Sequence, residues 1–301
     1  MVFAVFLASY LTVCVGIVGL IINVNVALAV RKCRNFGYAF GTLCLSQTIS
    51  NIGNCLVFSF LTGGITLVNS DWHYTYVGRR SGQLLVFFWE ASIFAHLSLA
   101  INRAIAVNFP LNYVKLFNKR RTTNVIVGII WIIAAAQALP YSLPACSMQF
   151  NPETYTYSPV DSLCGRLVSR YGDLYVSIIV LFTIAVLDVS SLFRLQKVQK
   201  QFVDHKSGKE HRLFYQACAQ STILMICECS YFYFSTISDN LWFRFATTTF
   251  VWVATHCLDG IVVIAFSREI RRIICRVEKV APARQLVFAT SGAHTTPSRK
   301  F

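Results

Sequence analysis

Residues 98–113 read SLAINRAIAVNFPLNY. They close an apolar run that begins near Gly82, and they place Asn102 and Arg103 near its end. A charge inside such a run is costly unless its long side chain reaches a polar edge. Just beyond it come Phe109, Pro110, Leu111 and Tyr113, and then Lys115, Lys119, Arg120 and Arg121. The stretch therefore reads as a helix leaving an apolar medium for a basic, water-facing loop. One such helix makes the fold a question of how many similar runs the chain holds.

Working outward, apolar blocks recur along all 301 residues. Hydrophobic residues make up 55% of the chain and charged ones only 13%, with a mean hydropathy of +0.55; soluble domains carry roughly 25% charged residues. A helix of about 20 apolar residues spans a bilayer and satisfies its own backbone. Seven such runs are expected, at residues 2–30, 38–67, 82–107, 123–145, 172–193, 214–237 and 242–266. Gly63-Gly64 is expected to stop the second. The first could be mistaken for a secretory signal, but it lacks a basic start and ends in Arg31-Lys32, so it is read as a helix that stays. The fold class is an all-α membrane protein, a seven-transmembrane-helix bundle.

Lysines and arginines set the orientation, because cytoplasmic loops hold an excess of them. With the N-terminus outside, all 27 but Arg79, Arg80, Arg166, Arg170 and Arg244 fall on the inner side. That places the C-terminus in the cytoplasm. It also explains the net charge of +14 through membrane lipids and a cytoplasmic partner, with no nucleic acid. No Gly-rich phosphate loop, His-Glu-x-x-His or Gly-x-Ser-x-Gly is present. Adjacent residues around a helix cannot converge on one ion, so Cys227-Glu228-Cys229 is not a metal site. Neither an enzyme nor a cofactor is expected.

Several motifs share one pattern. Asn102-Arg103 with Pro110 and Tyr113 resembles the (Asp/Glu)-Arg-Tyr region of rhodopsin-like receptors, with an amide in place of the acid and Ala104 in place of the tyrosine. Gly16, Gly19 and Asn23 resemble the small-residue-plus-asparagine pattern of their first helix. Trp131 lies mid-span four, nine residues before Pro140. Asp259-Gly260 resembles their Asn/Asp-Pro step, without the proline. Ser46 and Gln47 stand where many such receptors place a sodium-binding aspartate, and span six has no Cys-Trp-x-Pro. With INRAIAVNFPLNYVKLFN and HCLDGIVVIAF, the chain looks most like the nematode chemosensory receptors called serpentine receptor class X, over nearly its whole length.

That resemblance implies a chemosensory G-protein-coupled receptor in the plasma membrane of sensory neurons, including their cilia. It implies a small-molecule or peptide ligand and a heterotrimeric G protein as partners. Asn102, Arg103, Pro110 and Tyr113 would meet the G protein. Because an amide cannot form the local ion pair, the resting lock must be weaker or built differently. Such receptors commonly tie the second outer loop to span three, whose outer end has no cysteine here. A Cys146–Cys164 bridge within the loop is therefore expected, against two free thiols. The competing readings are a seven-helix ligand-gated channel, which would have its N-terminus inside, a transporter, and a receptor-like protein that no longer signals.

Ionisable residues at membrane depth carry the ligand hypothesis. Glu90, His96, Glu228, His256 and Trp252 lie on spans three, six and seven and are expected to line a cavity in the outer half. Asn23, Gln47 and Asp259 are read as an inner polar network. The remaining reading for each is a paired or neutral group holding helices together. Ile270, Ile273, Ile274 and Val277 recur at helical spacing opposite Arg268, Arg271, Arg272 and Arg276, so a membrane-surface helix is expected over 267–278. Cys275 lies there as a buried thiol or a palmitoylation site. The receptor unit is expected over residues 1–278, with a short disordered cytoplasmic tail over 279–301 that carries Ser and Thr.

Overall fold

The computed structural model describes residues 2–33, 36–117, 119–201 and 208–275. Seven long helices pack into one bundle. They are α1 (Val2–Lys32), α2 (Tyr38–Val68), α3 (Tyr76–Asn108), α4 (Arg120–Ala138), α5 (Leu163–Lys197 for its apolar part), α6 (Gly208–Phe232) and α7 (Leu241–Phe266). All but α6 are apolar enough to cross a membrane by composition alone. At 25 residues α6 is long enough, and its Gln216, Gln220, Ser221 and Glu228 are buried inside the bundle. A short surface helix, α8 (Arg268–Ile274), follows α7. The rest of the expected 267–278 helix and the tail lie outside the described residues.

Several boundaries differ from the sequence reading. Gly63-Gly64 does not end α2, which continues to Val68. A methyl group at Gly63 would sit 2.6 Å from Val13 and 2.9 Å from the Ser9 carbonyl, so this glycine admits α1 instead of stopping a helix. The third helix starts at Tyr76, not Gly82, with the Thr75 hydroxyl accepting from Gly78 N–H as its cap. The fourth ends at Ala138, where Pro140 and Pro144 open tight turns. The fifth begins at Leu163, capped by Ser162.

Small residues set the helix spacing. Gly16 faces Ser59 and the Cys55 carbonyl, and Gly19 faces Cys55 and Cys257. Gly260, where the resemblance would place proline, lies against Ile22 and Asn23. Asn23 Nδ2 then donates to the His256 carbonyl (3.0 Å) and ties α1 to α7. The Trp131 indole donates to Ser46 Oγ (3.1 Å) and ties α4 to α2.

One end of the bundle is closed by a hairpin. Strands β1 (Met148–Asn151) and β2 (Thr156–Pro159) pair antiparallel, Met148 opposite Pro159 and Asn151 opposite Thr156. The Cys146–Cys164 disulfide spans the loop; in the chain-entropy account a loop of this size contributes about 3 kcal/mol. The hairpin is inserted, not laid on top. Tyr157 is buried, and its hydroxyl meets Thr62 of α2 (2.7 Å) and donates to Ser81 of α3 (3.1 Å). The Tyr157 carbonyl accepts from Tyr231 of α6 (2.8 Å), and the Tyr155 carbonyl from Thr249 of α7. Burial pushes the Tyr157 phenol up to about 12, so it stays a neutral donor.

Two contacts fix the hairpin from the side. Gly82 lies so close to β1 that an added methyl would overlap the Met148 carbonyl. His73, in the turn between α2 and α3, is buried against Phe150 and pairs with the Thr66 hydroxyl (2.8 Å). Gly82→Ala is expected to lower the melting temperature of the purified protein by an amount equivalent to about 1–3 kcal/mol. Gly128→Ala, with no neighbour within 4 Å, should leave it unchanged.

Burial lowers the His73 imidazole to about 4. A depressed histidine pKa makes a stabilising contribution that is complete above the unfolded value of about 6.5 and fades as pH falls toward about 4. The thermal stability of the protein should therefore decline over that window, and less steeply in His73→Gln.

Candidate functional site

The bundle holds two polar centres, one below the hairpin and one nearer the Arg103 end. At the deeper one a single carboxylate, Asp259 of α7, gathers donors from two helices and the approach of a third. Gln47 (2.6 Å) and Asn51 of α2 donate to Oδ2, and Gln220 of α6 donates to Oδ1 (2.7 Å). His96 of α3 approaches Oδ1 at 3.6 Å. Asn51 Oδ1 pairs with His256 Nδ1 (2.9 Å) and accepts from Ser92 (3.3 Å). The charge is 3% exposed, and hydrogen-bond partners from two other helices offset the cost of its burial. Of the residues the sequence grouped as an inner network, Gln47 and Asp259 meet directly, while Asn23 reaches them through the His256 backbone. Asn51 and Gln220 were not singled out, although their spacing from Gln47 and Glu228 on the same helix faces was readable.

The second centre lies between the first and the hairpin. Trp89 of α3 and Trp252 of α7 meet edge to face with centroids 5.8 Å apart. Beside them a cavity of about 20 Å³ is lined by Asp173 of α5, Glu228 and Tyr231 of α6, and both indoles. Glu90 is fully buried and, like Glu228, lies within electrostatic reach of Asp173. Both Glu90 oxygens and Glu228 Oε2 have no hydrogen-bond partner among the described residues. Asp173 was missed at the sequence level because it falls close to the expected start of span five. A π-helical segment, Val168–Leu174, carries it, and such wide turns recur at functional sites.

The five residues that the sequence grouped as a ligand site thus fall into two sets. Glu228 and Trp252 line the cavity, and Glu90 lies within electrostatic reach of Glu228 without lining it. His96 and His256 belong with Asp259, and His256 touches the cavity set only through Trp89 (5.8 Å).

Near the far end of α3, Arg103 does not snorkel. Its guanidinium donates through Nη2 (2.8 Å) and Nε (3.2 Å) to Asp188 of α5. Asp188 is 1% exposed and also accepts from Ser221 of α6 (3.4 Å). Asn102 is buried and turned away, with no partner for Nδ2 among the described residues. The missing acid beside Arg103 is therefore replaced across the bundle by a carboxylate from α5. Pro110 opens the short helix Pro110–Phe117, on which Tyr113 stacks against Phe117 (5.2 Å) and Leu111 is 80% exposed. In α8 Ser267 caps the first turn, Ile270 is buried against α1 and α2, and Arg271 donates to the terminal carbonyls of α7.

A seven-helix bundle with a disulfide-bridged hairpin at one end and an arginine lock at the other is the plan of a membrane receptor. The model of the family described as serpentine type 7TM GPCR chemoreceptor Srx matches residues 13–267, and the chain belongs to that family. It is 23% identical to serpentine receptor class X 45 of Caenorhabditis elegans, over 95% of this chain and 87% of that protein. Serpentine receptor class X-43 of the same organism is 25% identical, over 92% and 89%. G-protein coupled receptor 183-A of Danio rerio matches 44% of the chain at 24% identity. The protein is a multi-pass membrane chemoreceptor of the G-protein-coupled kind, which removes the channel and transporter readings.

Asp259→Ala is expected to strand the Gln47, Asn51 and Gln220 amides and to cost about 3–5 kcal/mol, read as lost folded yield in detergent. Asp259→Asn, which keeps the shape and one acceptor, should cost less.

Proposed function

We propose that this receptor holds its N-terminus outside and its C-terminus in the cytoplasm, binds a ligand beneath the outer hairpin, and couples to a heterotrimeric G protein through the face around Arg103. The distribution of Lys and Arg supports the orientation. It makes the hairpin end the oxidising side, where a disulfide persists. Asn102, Arg103, Pro110 and Tyr113 bound the coupling face, and the exposed Leu111 and Val114 offer it apolar surface.

The observation that carries the reading is the Arg103–Asp188 pair and its connection to the cavity. Trp89 touches both Trp252 and His256. His256 shares Asn51 with Asp259, and Asp259 accepts from Gln220. The next residue, Ser221, donates to Asp188, which holds Arg103. A ligand that moves Trp89 or Trp252 disturbs a contiguous chain of contacts ending at the lock. Such a ligand shifts a two-state bundle by its differential affinity for the two states. In the open state Arg103 is released to the G protein.

Two substitutions test this. Arg103→Ala should abolish G-protein activation while surface expression persists. Asp188→Asn frees the arginine and should raise ligand-independent activation several-fold. Unchanged signalling in the first, or basal activity in the second no higher than in the unmodified receptor, refutes the assignment.

A further inference from the structure

The cavity below the hairpin has a chemistry that narrows its ligand. Three carboxylates from three helices, Glu90, Asp173 and Glu228, lie within one another's electrostatic reach. Neither Lys nor Arg lines the cavity among the described residues. Glu90 is fully buried and Glu228 is 7% exposed, yet among the described residues three of their four oxygens accept nothing. This contrasts with Asp259 in the same bundle, where both oxygens are filled by amides. Open acceptors at this depth are expensive, and among the described residues only Ser177 and Trp89 reach Glu228, while nothing reaches Glu90. An added cation would offset that cost.

We propose that the cavity bounded by Glu228, Asp173, Trp89 and Trp252 takes the ammonium head of a small primary amine with a short apolar tail. This rests on the reading of the hairpin end as the ligand side. An ammonium carries three donors and no acceptor, which matches open acceptors and no competing base. Its size suits the space: about 20 Å³ admits one water-sized group. The rings of Trp89, Tyr231 and Trp252 line the same space and offer cation–π attraction to such a head. Val86, Phe232 and the indoles complete an apolar lining, and a tail beyond the head enters only as these side chains move aside. A carboxylate or phosphate ligand finds no basic partner here and is rejected. A neutral alcohol of the same skeleton leaves the acids uncompensated.

The test is thermal melting of the full-length receptor purified in detergent, with no G protein present. Methylammonium, isobutylammonium and phenethylammonium are compared with isobutanol, phenethyl alcohol and phenylacetate. At least one ammonium compound should raise Tm in a concentration-dependent way, with the alcohols and phenylacetate inert. Glu228→Gln should remove the shift. No shift from any of the ammonium compounds, or an equal shift from the matching alcohol, overturns the proposal, as does a shift retained in Glu228→Gln. Where Glu228→Gln fails to fold, the ammonium–alcohol comparison on the unmodified receptor decides alone. Because binding is read without signalling, failure here leaves the Arg103–Asp188 lock standing. Binding without G-protein activation would instead refute the coupling role.

Discussion

A carboxylate at the centre of a helix bundle has no water to turn to. Asp259 holds its place because α2 and α6 bring amide donors to both of its oxygens. An uncompensated charge at that depth costs several kcal/mol, so the relative rotation of these helices follows from the need to supply those donors. His256 and Asn51 lock the same layer sideways, and Asn23 fastens α1 to it through the His256 backbone. Glycines at 16, 19 and 260 let the helices come close enough for these bonds to form.

Two further charges are treated differently. Arg103 and Asp188 form one interhelical pair, strong while both members are present and costly when either is lost. That sensitivity is the property a switch requires, and it lies between α3 and α5. The acids around Trp89 and Trp252 keep three open oxygens among the described residues. One bundle thus contains a satisfied charge, a paired charge and a waiting cluster. They are arranged in depth from the Arg103 end toward the hairpin, with Asp259 between the other two.

The hairpin decides how the cavity is reached. It is stapled by Cys146–Cys164 and inserts Tyr155 and Tyr157 among four helices. Tyr155 adopts a left-handed backbone conformation (φ 54°), which a bulky residue tolerates only where its surroundings enforce it. Here the Thr249 hydroxyl grips its carbonyl and Phe245 packs on its ring. The π-helical turns at Val168–Leu174 and Ala246–Phe250 lie at the same end and present Asp173 and Thr249 inward. That end of the bundle is closed by a plug held at several points.

The sequence by itself determined the class. Seven long apolar runs leave the backbone no partner but its own helix, and the charge asymmetry follows the loops, so both are legible one residue at a time. The Cys146–Cys164 pairing and the closeness of Gln47 to Asp259 could be reasoned out for similar local reasons. Helix ends were less legible, because Gly63 marks a close approach to α1, and a glycine needed for packing looks the same in sequence as one that ends a helix. What only the tertiary structure decided was who faces whom across the bundle. Asp188 and Asp173 on α5 looked like isolated acids until folding set one against Arg103 and the other beside Glu228. His96 and His256 share the approximate depth of the other polar residues, yet helix rotation turned them toward Asp259. A hydropathy pattern fixes depth along the membrane normal. It carries little information about rotation around each helix axis, and rotation is what assembles a site.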